Sequence, residues 1–92
     1  MYVVLMKIKC MLFYVYIIRS EKDGRFYVGI TEHIERRLKE HNSGKTTSTK
    51  SYVPWILFFT ESFETRIEAR AREVYLKSGI GKEFIKRKWA SR

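Results

Sequence analysis

One cysteine, one proline and one asparagine stand among the 92 residues of this chain, and only ten acidic side chains oppose nineteen basic ones. With Cys10 alone, no disulfide closes within the chain and no zinc site of several thiolates can be built. A reducing, cytoplasmic setting is therefore expected. The five glycines supply no phosphate-binding loop, no helix carries His-Glu-x-x-His, and nothing repeats, which leaves P-loop nucleotide hydrolysis, zinc peptidase and solenoid readings without support. Long apolar runs are missing too. Lys7, Lys9 and Arg19 interrupt the apolar N-terminus well before the roughly 20 residues that a membrane-crossing helix needs. Residues 1–10 (MYVVLMKIKC) lack the basic start and small-residue cleavage site of a signal peptide. They read as an extra leading strand or as an extension ahead of a start at Met11.

A chain of this length holds one domain, 1–92, and has no room for a large multi-site enzyme. Its hydrophobic fraction is 45% with 15% aromatic, enough for a core of modest stability. The net charge of +9 and the pI near 9.9 point to a polyanionic partner, through counterion release and electrostatic steering. An anionic membrane surface fits that charge, but nucleic acid, DNA or RNA, is the partner that such a basic footprint favours.

Leu12 to Arg19 (LFYVYIIR) is β-branched and aromatic, and an Asp23-Gly24 turn then leads into Phe26 to Ile30 (FYVGI), which predicts a β-hairpin. Alternation places Tyr14, Tyr16 and Ile18 on one face of the first strand, and Tyr27 and Gly29 on one face of the second. Thr31 is the expected N-cap of a helix running to Glu40 or His41, ended by Asn42-Ser43-Gly44. Ile34, Arg37, Leu38 and His41 share a stripe of that helix, so an arginine and a histidine are directed toward the body. Arg37 snorkelling and His41 packing at the helix end would be one explanation; a functional site is the other.

Residues 42–53 form a polar loop with Lys45 and Lys50 among hydroxyls. After Pro54, the run Trp55 to Thr60 (WILFFT) predicts a third strand, buried on both faces. Thr65-Arg66-Ile67-Glu68 is a capping box for a helix expected to reach Ser78, with Gly79 as its stop. Ala69, Glu73, Leu76 and Ile80 fall on one stripe of it, and Arg66, Arg70 and Lys77 on another. A carboxylate among apolar residues is costly unless paired or metal-bound; the candidates are an ion pair with Arg70 or Arg37, or a metal. Residues 82–89 (KEFIKRKW) predict a basic helix with Phe84, Ile85 and Trp89 inward and a cationic outer side.

These residues resemble the GIY-YIG nuclease superfamily, in particular its small stand-alone bacterial members, over residues 12–88. Tyr14-Val15-Tyr16 is similar to the first motif and Tyr27-Val28-Gly29 to the second. Thr31 to Asn42 (TEHIERRLKEHN) then continues as in that family, with Arg37 ten residues after Tyr27 and Glu73 in the later helix. The resemblance implies an α/β (α+β) domain, a three-stranded antiparallel sheet flanked by helices, that hydrolyses phosphodiester bonds with one divalent cation. In such enzymes the late-helix glutamate, here Glu73, is the protein ligand of the metal; one carboxylate plus waters suits Mg2+ or Mn2+. The family's tyrosines place a phenol beside the attacking water, so Tyr16 and Tyr27 are the general-base candidates. Either needs nearby cations or hydrogen bonds to act near neutrality. Arg37 is implied as the ligand of the scissile phosphate, His41 as a phosphate contact or proton relay, and Arg36 as the grip on a neighbouring phosphate.

Two departures from the family pattern stand out. Tyr14 occupies the place of the first motif's glycine, and the late asparagine of many relatives is missing, so that either Lys77, Ser78 or a backbone group replaces it or the site is impaired. The leading reading is a metal-dependent DNA endonuclease acting in repair or on branched DNA. A non-catalytic module that binds nucleic acid through Lys45, Lys50, Arg66, Arg70, Lys77 and Lys82 is the second, and a basic protein-interaction domain the third. With no second DNA-binding module visible, weak sequence specificity is expected, with a homodimer or a protein partner choosing the substrate.

Overall fold

The computed structural model describes residues 11–92; the reading of residues 1–10 as a leading strand lies outside them. Strand β1 (Phe13–Ser20) turns through Ser20 to Arg25 into β2 (Phe26–Thr31), as the Asp-Gly signal predicts. The turn closes by hydrogen bonds from the Ser20 and Gly24 amides to the Arg25 and Ser20 carbonyls, 2.8 and 2.9 Å. Gly24 adopts φ +81°, which a side chain would strain. The buried Ser20 hydroxyl accepts from the Lys22 amide and donates to the Tyr52 carbonyl at 2.6 Å. One hydroxyl thus ties the turn to the segment before the third strand.

Helix α1 (Ile34–Asn42) begins later than its sequence predicts. His33, not Thr31, is the capping residue, and it makes no side-chain cap. The Thr31 hydroxyl instead accepts from the His33 amide at 3.1 Å, the local side-chain turn that competes with capping at such positions. Strand β3 (Trp55–Phe63) pairs antiparallel with β1, so the sheet order is β2-β1-β3. The expectation that β3 is buried on both faces fails for this reason. Among the described residues it is an edge strand, and Ile56 and Leu57 are 37% and 41% exposed. The strand covered on both faces is β1, which buries Val15, Tyr16, Ile17 and Ile18 in succession.

Two cores form, one on each face of the sheet. Val15, Ile17 and Val28 pack with Ala69, Leu76 and Ile85 of helices α2 (Arg66–Lys77) and α3 (Gly79–Ala90). On the other face Tyr16, Ile18 and Trp55 gather Tyr27 and Leu38. The Thr65 hydroxyl accepts from the Glu68 amide at 3.2 Å, as the capping box requires. The Glu68 carboxylate, however, receives the Thr65 hydroxyl at 3.1 Å rather than a backbone donor.

Helix α2 stops at Lys77, and Gly79 is no stop but the first residue of α3. Ser78 serves both helices, in extended backbone. Its hydroxyl donates to the Tyr75 carbonyl and accepts from the Gly81 amide at 3.1 Å. The turn carries Ile80 away from the apolar stripe of α2, and it is 70% exposed rather than buried. Gly81 lets the two helices meet, because a Cβ there would collide with the Tyr75 carbonyl and Leu76 backbone. The inner side of α3 is as expected, with Ile85 buried and Trp89 edge-on to Phe58 at 5.0 Å between centroids. Among the described residues no helix is long and apolar enough to cross a membrane.

Candidate active site

Antiparallel register sets Tyr16 of β1 directly across from Gly29 of β2. The Tyr16 ring lies over that glycine so closely that a Cβ there would stand 2.5 Å from the phenol oxygen. Gly29 is thus required by packing against the neighbouring strand rather than by its own backbone angles. The Tyr16 ring is 2% exposed, and its hydroxyl is 2.8 Å from Nε2 of His41. His41 comes from the last turn of α1 and is fully buried. Its Nδ1 is 2.8 Å from the Thr49 hydroxyl, and Tyr27 packs edge-on against its ring at 4.9 Å. Helix spacing alone left two explanations of an inward histidine; its ring here bridges Tyr16 and Thr49 instead of merely filling space.

Burial pushes the Tyr16 phenol up to about 12, against the opposing pull of the Arg37 guanidinium beside it. Burial also pushes His41 down to about 4, assisted by the same guanidinium. Both groups are therefore neutral across the neutral range. A neutral imidazole has one unprotonated nitrogen able to receive a proton; an imidazolium has none.

Arg37, directed inward as the stripe on α1 predicts, donates to Glu40 at 2.7 Å. That contact holds its pKa above the usual arginine value. Glu73 is 7% exposed, and each of its oxygens meets a cation. Oε1 receives Arg70 at 2.7 Å and Oε2 receives Lys77 at 3.0 Å. Of the two partners expected for an internal ion pair, Arg70 is the one present, while Arg37 pairs within its own helix. The Arg70 and Lys77 side chains are more than half exposed, so both can swing into solvent at little cost.

An open cleft of about 500 Å³ collects Tyr16, Tyr27, Gly29, Ile30, Arg37, Arg66, Arg70 and Glu73. It crosses β2, the outer strand among the described residues, with α1 supplying Arg37 from one side of the sheet and α2 supplying Glu73 from the other. The donor set fits a divalent cation of the magnesium type. Glu73 is one inward carboxylate at a roomy, polar cleft, its neighbours are displaceable, and Mg2+ keeps several waters and takes oxygen ligands. An enclosed transition-metal cage has no basis, since among the described residues no three His, Cys, Asp or Glu side chains converge.

Not every cation expected in the site is near it. Arg66 lines the cleft and reaches Glu32 at 3.5 Å. Arg36 points outward from α1, 69% exposed, 4.0 Å from Glu40. Lys45 and Lys50 are exposed on the loop after α1, outside the cleft lining. Lys82 belongs to a separate hollow of about 310 Å³ with Arg25, Phe26, Ile85 and Lys86. Of the candidates for the missing asparagine's place, Lys77 stands at Glu73, whereas Ser78 is committed to the helix junction. The chain's own Asn42 is engaged elsewhere, its amide bonded to both the nitrogen and the oxygen of Trp55 at 2.6 and 3.0 Å.

Thr49 is the residue that the sequence concealed. It is the last of four consecutive hydroxyl residues, 46–49, in a polar loop, and only the fold shows it to be fully buried against His41.

A family model of the GIY-YIG catalytic domain matches residues 12–86. The chain is 43% identical over 65 residues to a UPF0213 protein of Bacillus licheniformis, spanning 70% of this chain and 66% of the relative. It is 39% identical over 74 residues to one of Staphylococcus haemolyticus, covering 79% and 89%. A solution NMR structure of the UPF0213 protein BH0048 of Bacillus halodurans superposes with TM-score 0.51 at 37% identity, covering 82% of each chain.

Proposed function

The chain belongs to the GIY-YIG family, and from that premise we propose that it is a divalent-metal-dependent endonuclease hydrolysing DNA phosphodiester bonds, in repair or on branched DNA. The observation that carries the reading is the 2.8 Å hydrogen bond between the buried His41 and Tyr16, whose Tyr16 end lines the same cleft as Arg37 and Glu73. Phosphoryl transfer needs an activated water, a cation on the phosphate and stabilised charge on the leaving oxygen.

Tyr16 rather than Tyr27 is the base in this reading, because Tyr16 has an outlet for its own proton. The phenol proton passes to Nε2 of His41 as the phenol oxygen takes a proton from the attacking water. With Tyr16 near 12 and His41 near 4 before substrate arrives, the two transfers go together with attack rather than ahead of it. Water oxygen bonds to phosphorus, the bond to the leaving oxygen breaks, and that oxygen takes a proton from solvent. Arg37 leaves Glu40 and grips the scissile phosphate, which offers two oxygens to its fork. Glu73, released by Arg70 and Lys77, would hold Mg2+ or Mn2+. Such an ion supplies positive charge to the scissile phosphate and the leaving oxygen. Arg66 and Arg70 then contact flanking phosphates.

Arg37→Ala tests this reading directly. It is expected to slow cleavage of labelled duplex or branched DNA by roughly 10²–10³-fold, with binding weakened far less. A wild type that binds DNA with a steep salt dependence yet cuts no substrate would establish the binding-module alternative instead.

A further inference from the structure

The hydrogen bonds around His41 do not end at the imidazole, and the group at their far end decides which way the proton can travel. A neutral imidazole carries its hydrogen on one nitrogen only. If that is Nε2, the ring donates to Tyr16 and has no lone pair there to receive a proton. If it is Nδ1, the Nε2 lone pair faces the phenol. The group touching Nδ1 is the Thr49 hydroxyl, at 2.8 Å.

Thr49 is poorly placed to move. Its amide donates to the Thr46 carbonyl at 3.1 Å, and its carbonyl accepts from the Tyr52 amide at 3.1 Å and the Trp55 indole at 3.0 Å. Its side chain is fully buried. Among the described residues the hydroxyl has two hydrogen-bonding neighbours, Nδ1 of His41 and the Thr46 carbonyl oxygen at 3.4 Å. The carbonyl can only accept and already takes the Thr49 and Lys50 amides at 3.1 and 2.9 Å, so the arrangement that uses both neighbours of the hydroxyl points its proton to the carbonyl as a third, longer contact and leaves the Thr49 oxygen to accept from Nδ1–H. In the opposite arrangement the carbonyl keeps its two amide donors, but the buried Thr49 oxygen accepts nothing.

We propose that Thr49 is a positioning residue, holding His41 in the Nδ1–H tautomer so that Nε2 receives the Tyr16 proton. The proposal rests on the nuclease reading for its purpose but not for its test. Thr49 acts through His41 and touches neither substrate nor metal. It does for the imidazole, through a neutral hydroxyl, what an orienting carboxylate does in hydrolytic triads. No proton leaves Thr49: the hydrogen that moves is the phenol's, to Nε2, and the Nδ1–H bond stays intact.

The experiment is 15N NMR of the histidine side chains in substrate-free protein near neutral pH, for wild type, Thr49→Val and Thr49→Ser. His33, the other histidine of the chain, is exposed and serves as the internal reference. Wild type is expected to show a pyrrole-like Nδ1 and a pyridine-like Nε2 at His41. Thr49→Val should move His41 to the other tautomer or a mixture, and Thr49→Ser should restore the wild-type pattern. In cleavage assays kcat of Thr49→Val should fall by at least about tenfold with KM little changed, and Ser should recover it. An Nε2–H tautomer in the wild type, or an unchanged tautomer in a folded Thr49→Val, would overturn the proposal. If the valine variant unfolds, the wild-type and serine spectra decide. A protein that cuts nothing but shows the predicted spectra would sink the nuclease reading and leave the tautomer assignment standing.

Discussion

Tyr16→Phe is expected to lower the cleavage rate by about 10²–10⁴-fold, the usual contribution of a positioned general base, while DNA binding changes little. The substitution removes one oxygen from a ring that is 2% exposed and keeps the rest of its packing. The loss is therefore chemical rather than structural, apart from the Nε2 lone pair of His41, left without a partner at a cost of about 1–3 kcal/mol. Single-turnover cleavage separates the two effects when paired with anisotropy measurements of binding. Tyr27→Phe should be much milder, because Tyr27 packs on His41 edge-on rather than through a hydrogen bond to it. The reverse ranking would move the base to Tyr27 and leave the Tyr16–His41 bond a structural one.

Gly29→Ala should be nearly as damaging as loss of the phenol, although glycine contributes no chemistry. The added methyl would lie 2.5 Å from the Tyr16 hydroxyl and 2.6 Å from the carbon bearing it. Those atoms belong to a buried ring held by His41, not to the free end of a flexible chain. The ring must turn away and the 2.8 Å contact must break. Overpacking of this kind costs about 1–3 kcal/mol, a fall in Tm of about 5–20 °C for a domain of this size. Activity should drop to near the Tyr16→Phe level. Thermal melts and cleavage on the same preparation would show both losses; a variant with wild-type Tm and rate would mean that Tyr16 has room to spare over β2.

Much of this arrangement was legible in the sequence because its determinants are local. Alternation in LFYVYIIR and FYVGI set the strand faces, the Asp-Gly pair set the turn, and register then brought Tyr16 and Gly29 together. The capping box fixed the start of α2 and so the inward direction of Glu73. Errors arose where long-range contacts outweigh local signals. The run WILFFT is as apolar as an interior strand, yet nothing in it says that β1 occupies the middle of the sheet. Gly79 carries the usual mark of a helix end, but Ser78 ends one helix and starts the next, and Ile80 leaves the stripe with it. Thr31 bonds within its own turn instead of capping α1. Thr49 was invisible for a different reason. Its role depends on a loop folding back eight residues to meet His41, a contact that spacing within one element cannot express.

The departure from the family pattern also has a physical side. Lys77 lies 3.0 Å from Glu73, so a metal ion held there as proposed would compete with an ammonium as well as with Arg70 for the carboxylate. Metal binding should therefore be weaker than the carboxylate alone would allow, and helped by a DNA phosphate that draws both side chains away.

The most direct test of the account is cleavage of labelled duplex, single-stranded and branched DNA in Mg2+ or Mn2+ by wild type and Glu73→Ala, with EDTA controls and binding measured in parallel. The wild type is expected to cut in a way that EDTA abolishes and Glu73→Ala lacks, with DNA binding retained by the variant. Equal binding by both proteins and no cutting by either on any substrate would contradict it.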